Sequence, residues 1–311
     1  MNASARFHPN GRHLALVGPT ASGKSSLAFA LACSRDDIEI VTVDSMQVYR
    51  GMDIGTAKPS AAQQGEVVHH LLDVCDPDDD YTVARFQREC LAVVADIEAR
   101  GKRALLVGGT GLYLQAITDD LEIPARFPEV RVEVEQEPET AVLFAQLEQL
   151  DPIAASRMEA TNRRRVVRAL EVTLGSGRPF SSFGPGLEDY PVSPFPIIGL
   201  AIERDLLDER ISQRYEQQMA EGFLGEVEAL VTRPAGLGRT ARQALGYTEL
   251  LDYIEHGLPL DAALETAVQR TRRFARRQQR WFGRDPRITW LTTDGNVSEN
   301  LVAELARGLV D

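Results

Sequence analysis

The eight residues from Gly18 to Ser25, GPTASGKS, fit the pattern G-x-x-x-x-G-K-[ST]. They follow an apolar run, LALVG, that reads as a buried strand. They open SSLAFALACS, which carries helix formers at helical spacing. A glycine-rich turn between strand and helix is a phosphate cradle, because loop N–H groups point at phosphate oxygens and the helix N-terminus adds a favourable dipole. Gly18, Pro19, Thr20, Ala21, Ser22, Gly23, Lys24 and Ser25 are therefore the candidate phosphate-binding residues. Lys24 supplies a point charge, and the Ser25 hydroxyl is a ligand for Mg²⁺. Such a loop reads phosphates without saying whose they are.

The rest of the chain sets the fold class. IEIVTVD, ending on Asp44, is a second strand candidate rich in β-branched residues. Thr82 to Gly101 is an amphipathic helix with Thr82 as N-cap and Gly101 as its stop. RALLVGGTGLYL gives a third strand and a glycine turn. Strands alternating with helices predict an α/β fold: a P-loop NTPase-like parallel sheet flanked by helices. The pattern turns polar and proline-punctuated near Ile123, and IIGLAI, from Ile197 to Ile202, reads as one more buried strand. We expect a first part of the core over 1–121, a mostly helical insertion over 122–190, and a return to the core with C-terminal helices over 191–311. Two of those helices are expected to open at Asp205 and Asp261, the second ending at Gly283. Ile211, Tyr215 and Met219 fall at i, i+4 and i+8 of the first.

Composition narrows the class. No stretch of the 311 residues approaches a membrane span, and MNASARFHPNGRH lacks the apolar core of a signal peptide, so a cytoplasmic protein is expected. Cys33, Cys75 and Cys90 fit no zinc spacing and read as buried free thiols. His69 and His70 read as structural. A net charge of −12 argues, taken alone, against a nucleic-acid partner. Local patches reverse that argument. One holds Arg157, Arg163, Arg164, Arg165 and Arg168. The other runs through Arg270, Arg272, Arg273, Arg276, Arg277, Arg280, Arg284 and Arg287. Positions 273, 276, 277 and 280 share one helix face, without interleaved acids, which favours phosphate binding. Trp281 and Phe282 beside them are expected in the core.

An aspartate that ends a strand, as Asp44 does, can hold a metal through water, cap the next segment or take a proton. The residues after it shift the balance. DSMQVYRGMDIGTAKP resembles the signature of the tRNA dimethylallyltransferases, also called tRNA isopentenyltransferases. GPTASGKS, HHLLDV, GGTGLYL, NRRRVVRALEV, ARQALGY and RTRRFARRQQRWF resemble blocks of that family in the same order, so the resemblance spans about Leu14 to Trp290.

The resemblance implies transfer of a dimethylallyl group from dimethylallyl diphosphate to N6 of the adenosine just 3′ of the anticodon in tRNA. Asp44 is then the general base for a weakly nucleophilic amine. The phosphate loop and Mg²⁺ stabilise the departing diphosphate. Thr110 matches a family residue near the reacting base; its hydroxyl either orients Asp44, contacts the tRNA or makes an ordinary turn hydrogen bond. Arg210 and Arg214 lie one turn apart, and the resemblance implies that an arginine from this region reaches the diphosphate; we favour Arg214. Gln47 suits an adenine edge. The tRNA-facing set is Asp44, Ser45, Met46, Gln47 and Thr110, with Arg131, Arg164, Arg165, Arg168, Arg242, Arg276, Arg277 and Arg280. The insertion departs from the family pattern: VEVEQEPETAVLFAQ is short and acidic, and MEATNRRR replaces a His-Pro-Asn-Asp-type run. The partners implied are tRNA and dimethylallyl diphosphate, with no membrane and a monomeric protein. The rival readings are a transferase acting on free adenine nucleotides, a small-molecule kinase, and a non-catalytic RNA-binding module gated by a nucleotide. The arginine clusters speak against the first two and the strand-end Asp44 against the third.

Overall fold

The computed structural model describes residues 13–309; the leader reading, made on residues 1–13, lies outside them except for His13. In chain order the elements are β1 (Leu14–Val17), α1 (Lys24–Cys33), β2 (Ile38–Val43), α2 (Ala61–Glu66), β3 (His69–His70), α3 (Val83–Ala99), β4 (Arg103–Gly108) and α4 (Gly111–Thr118). Four helices follow: α5 (Pro128–Glu135), α6 (Thr140–Leu150), α7 (Pro152–Ser156) and α8 (Arg163–Ser176). The chain then forms β5 (Ile197–Ala201), α9 (Arg204–Ala220), α10 (Phe223–Val231), α11 (Arg239–Arg242), α12 (Tyr247–His256), α13 (Leu260–Phe282), β6 (Ile288–Thr292) and α14 (Glu299–Ala306).

Six strands make one parallel sheet in the order β3-β2-β4-β1-β5-β6. Every residue of β1 and β2 is buried, as expected of central parallel strands covered on both faces. One cluster, including Val41, Val43, Phe86 and Tyr215, covers one side; another, including Leu14, Leu27, Leu105 and Leu305, covers the other. β3 and β6 were not expected. β3 is two residues long, too short for any periodicity, and β6 is an edge strand with Trp290 39% exposed.

A charge lies inside this apolar sheet. Glu39, 1% exposed on β2, accepts hydrogen bonds from His70 Nε2 (2.7 Å) and Arg100 and pairs with Lys102 Nζ (2.9 Å). The Arg100 hydrogen bonds lead in holding its carboxyl well below the usual range, against the cost of burial. This gives His70 the structural role expected of it.

Three details correct the sequence reading. Asp205 and Asp261 are not N-caps; Glu203 and Pro259 are, and both aspartates sit in the first helical turn. Carboxylates there still favour the positive end of the helix dipole, so the acidic signal was right and its position two residues late. Cys33 is exposed at the end of α1, whereas Cys75 and Cys90 are buried. Thr82 does cap α3, accepting from Arg85 N, and Phe282 is buried at the end of α13.

The chain divides into two compact units. One ends its first stretch at Thr118 and resumes at Val192; the other is Asp119–Pro191, where 122–190 was expected. The second unit has its own core of Val134, Leu143, Leu147, Val166 and Leu170. Its buried Glu171 accepts from Phe127 N (2.9 Å) and Arg168 Nη1 (2.7 Å) and pairs with Arg131 (3.5 Å).

Candidate active site

Strand register places the site. β2, β4 and β1 are neighbours, with Val43 paired to Gly108 and Gly108 to Val17. The segments beginning at Asp44, Gly109 and Gly18 therefore leave the carboxyl edge of three adjacent strands together, where an open parallel sheet forms its ligand crevice.

The phosphate loop has the backbone its sequence requires. Ala21 (φ +63) and Gly23 (φ +86) are left-handed, and a Cβ on Gly23 would lie 2.5 Å from Gly295 O. Glycine is thus required at 23 by both conformation and space. Gly23 is also the N-cap of α1, so the free amides of the first turn begin immediately after it. Among the described residues no protein acceptor meets the Ala21 or Gly23 N–H. Thr20 differs from the expected cradle: its N–H donates to Gln278 Oε1 (2.9 Å) and its hydroxyl accepts from Arg214 Nη1 (3.1 Å). Ser22 is fully buried, with its Oγ unpartnered among the described residues, and Ser25 is exposed.

Charge is concentrated around this loop. Lys24 Nζ donates to Pro19 O (3.1 Å). Burial pushes the Lys24 ammonium down to about 8, with Asp44 opposing that shift and Arg214 adding to it. Burial likewise lowers the hold of the Arg214 guanidinium on its proton, opposed by Tyr215 and Asp44. The Asp44 charge thus acts on both cations, and Arg214 on Lys24. Arg210 has a different task. Its Nε donates to Ala21 O (2.9 Å) and its Nη2 to Gly295 O (3.0 Å), bracing the loop from outside.

Asp44 Oδ1 accepts from Met46 N (2.8 Å) and Gln47 N (3.3 Å), an Asx turn that holds the carboxyl in place. No hydrogen bond to Oδ2 exists among the described residues, so one oxygen of a fixed carboxylate is left for chemistry. Thr110 Oγ1 accepts from Ser45 N (3.3 Å), so it acts on the turn beside Asp44 rather than on the carboxylate. Gln47 Nε2 donates to Thr56 O (2.9 Å) and Ala57 O (3.2 Å). Both amide hydrogens are used, which leaves only Oε1 for an adenine edge, less than its expected donor–acceptor pairing.

Sequence reasoning missed the residues that hold this crevice. Glu226 gathers Asp53 N (2.8 Å), Ile54 N (2.7 Å), Gly55 N (3.1 Å) and the Tyr247 hydroxyl (2.6 Å), closing the loop after Asp44. Lys58, 3% exposed in its side chain, donates to Tyr49 O and pairs with Asp53 and Asp73. The conspicuous lysine of DIGTAKP was the available signal for the second; Glu226, one of two glutamates on α10, offered none for the first.

The arginines separate into two groups. Arg131 and Arg168 are tied to Glu171, Arg242 to Glu255, Arg270 to Glu249 and Arg276 to Asp208. The helix face expected to lack acids is thus neutralised at Arg276 by a carboxylate from α9. Arg164, Arg165, Arg273, Arg277 and Arg280 are exposed. Among the described residues there is no cluster of three His, Cys, Asp or Glu able to hold a metal ion, and no helix is long and apolar enough to cross a membrane.

Residues 47–285 match the IPP transferase family. A tRNA dimethylallyltransferase of Bifidobacterium longum (strain NCC 2705) is 46% identical over 303 residues, covering 95% of this chain and 91% of its own. A crystal structure of the tRNA isopentenylpyrophosphate transferase of Bacillus halodurans superposes with a TM-score of 0.69 at 35% identity, over 96% of this chain and 97% of that one. A eukaryotic dimethylallyltransferase acting on tRNA superposes with a TM-score of 0.75 at 26% identity, over 90% of this chain and 74% of that one.

Proposed function

The chain belongs to the IPP transferase family, and from that we propose that it transfers a dimethylallyl group from dimethylallyl diphosphate to N6 of the adenosine 3′ to the anticodon in tRNA. The observation that carries this reading is the meeting of Asp44, Lys24 and Arg214 at the carboxyl edge of β2, β4 and β1.

The adenine amine is a poor nucleophile because its lone pair is delocalised into the ring. The free Oδ2 of Asp44 takes its proton as the new carbon–nitrogen bond forms. The base has to leave its stack to reach a carboxylate at the foot of a crevice. On the other side of the reacting carbon the leaving diphosphate gathers charge. The Ala21 and Gly23 amides, which meet no protein acceptor among the described residues, would take up that charge together with the first turn of α1, Lys24 and Arg214. Thr110 and Glu226 hold the backbone on which the base-side groups stand.

Mg²⁺ suits the donor set. Ser25 offers one exposed hydroxyl on the loop, and among the described residues no group of three His, Cys, Asp or Glu forms a cage, which fits an ion that keeps waters and borrows substrate oxygens. Held by Ser25 and the diphosphate, it would neutralise charge on the leaving group. The tRNA backbone is read by the exposed Arg164, Arg165, Arg277 and Arg280, while Arg131, Arg168, Arg242 and Arg276 contribute from within ion pairs. We read the protein as a cytoplasmic monomer.

The deciding experiment offers labelled dimethylallyl diphosphate with Mg²⁺ to unmodified tRNA, AMP and ATP in parallel. Label is expected in tRNA alone, and is lost when the adenosine 3′ to the anticodon becomes guanosine. Label in AMP or ATP would replace tRNA as the acceptor.

Two further outcomes follow from charge. The alkaline limb of kcat/KM for dimethylallyl diphosphate reports a free-enzyme group. Because burial lowers Lys24 to about 8 and its charged form binds the diphosphate, kcat/KM is expected to fall as pH rises through about 8. Lys24→Arg keeps its proton across that range and should lose the limb; a limb surviving in that variant would assign it to another group. On α13, Arg277→Glu reverses an exposed charge and should weaken tRNA binding more at low salt than at high salt. Titrations across a salt series check this, and a loss independent of salt would place Arg277 outside the phosphate contacts.

A further inference from the structure

We propose that Gln278 of α13 is a positioning residue that locks the phosphate loop and the Gly109–Gly111 turn in register, setting the distance between the leaving diphosphate and the base-side carboxylate. The proposal rests on the transferase reading above.

The geometry is that of a missing rung. β1 and β4 pair as far as Val17 and Gly108, and beyond that point both chains turn away to form loops. The side-chain amide of Gln278 takes the place of the next peptide group. Its Oε1 accepts from Thr20 N (2.9 Å) and its Nε2 donates to Gly109 O (2.9 Å). The side chain comes from far along the chain and is 6% exposed, so the two bonds are sheltered from competing water. A planar side-chain amide presents an acceptor and a donor side by side, as a peptide group does. Space is tight as well: a Cβ on Gly109 would collide with Nε2, and a Cβ on Gly111 with the Trp281 indole, so α13 docks directly on this turn.

The two anchored segments carry the two halves of the reaction. The first continues into Ala21, Gly23 and Lys24. The second includes Thr110, whose hydroxyl receives the Ser45 N–H beside Asp44. Strand pairing no longer constrains their separation at this level; Gln278 does. A misplacement of about 1 Å between reacting groups costs on the order of 10²-fold in rate.

Gln278→Met keeps the length and packing of the side chain and removes both hydrogen bonds. Steady-state kinetics, direct tRNA binding and thermal unfolding are measured on the same preparations. We expect kcat to fall on the order of 10²-fold, with tRNA affinity and KM for tRNA at wild-type level and the protein folded at the assay temperature. Gly109→Ala, which displaces the same amide, should lower kcat in the same way. In a Gln278→Ala background it should add much less, because the collision with Nε2 is gone and only the 3.2 Å approach to Gly18 O remains. Wild-type kcat in folded Gln278→Met, or parallel loss of kcat and tRNA affinity, overturns the proposal. Should Gln278→Met not fold, the Gly109→Ala cycle decides, and additive losses overturn it. Absence of transfer by the wild-type protein would instead defeat the transferase reading, before any variant is compared.

Discussion

Asp44→Asn is expected to lower kcat by about 10²–10⁴-fold, the range lost when a general base is removed, while leaving tRNA affinity intact. Asparagine is the informative replacement because the turn-capping role of Asp44 and the general-base role proposed for it use different properties. Oδ1 caps the turn by accepting from Met46 N and Gln47 N, and an amide oxygen can do the same. The unpartnered Oδ2 becomes an NH₂ group that cannot accept a proton. Asp44→Ala removes both and should cost in addition about 1 kcal/mol of stability, as other lost caps do. Single-turnover rates with saturating tRNA, set beside binding titrations and melting curves, separate these effects. Equal loss of binding and rate in the asparagine variant would make Asp44 a structural residue of the turn.

Lys24→Met has the second largest effect, and its sign differs between activity and stability. Removing one preorganised donor from an anion site typically costs about 10²–10³-fold in rate, and kcat/KM for dimethylallyl diphosphate should fall by that much. Stability should move the other way. Lys24 is lowered from 10.5 to about 8, so between those values the unfolded chain binds more protons and the fold gains stability as pH rises. At pH 7 the folded protein carries a charge that burial disfavours. Methionine keeps the stem and drops the charge, so its melting temperature at pH 7 is expected above wild type. A variant with reduced activity and a lower melting temperature would show Lys24 to be holding the loop together through Pro19 O.

The sequence carried what depends on local spacing. The glycine loop was legible because strand, turn and helix are contiguous, and the same holds for the cap at Thr82 and the stop at Gly101, left-handed just past the Arg100 C-cap of α3. Asp44 was legible because an apolar strand ends on it. What failed was non-local. Gln278 is 258 residues from the amide it receives, and Glu226 is more than 170 from the three that it gathers. The Arg276 pair with Asp208 joins two helices, so its neutralisation was invisible when the arginines were counted along one. The edge strand β6 lacks a buried face to impose a period.

The sequence by itself therefore determined the groups available at each loop: a glycine-rich strand-to-helix turn with its lysine, a strand-end carboxylate and cationic helices, all set by residue type and near neighbours. Only the tertiary structure decided which of these meet and which charges stay free. Parallel pairing brings the ends of β1, β2 and β4 together across long connections. An ion pair or a buried amide bridge depends on distances through space that spacing along the chain does not encode.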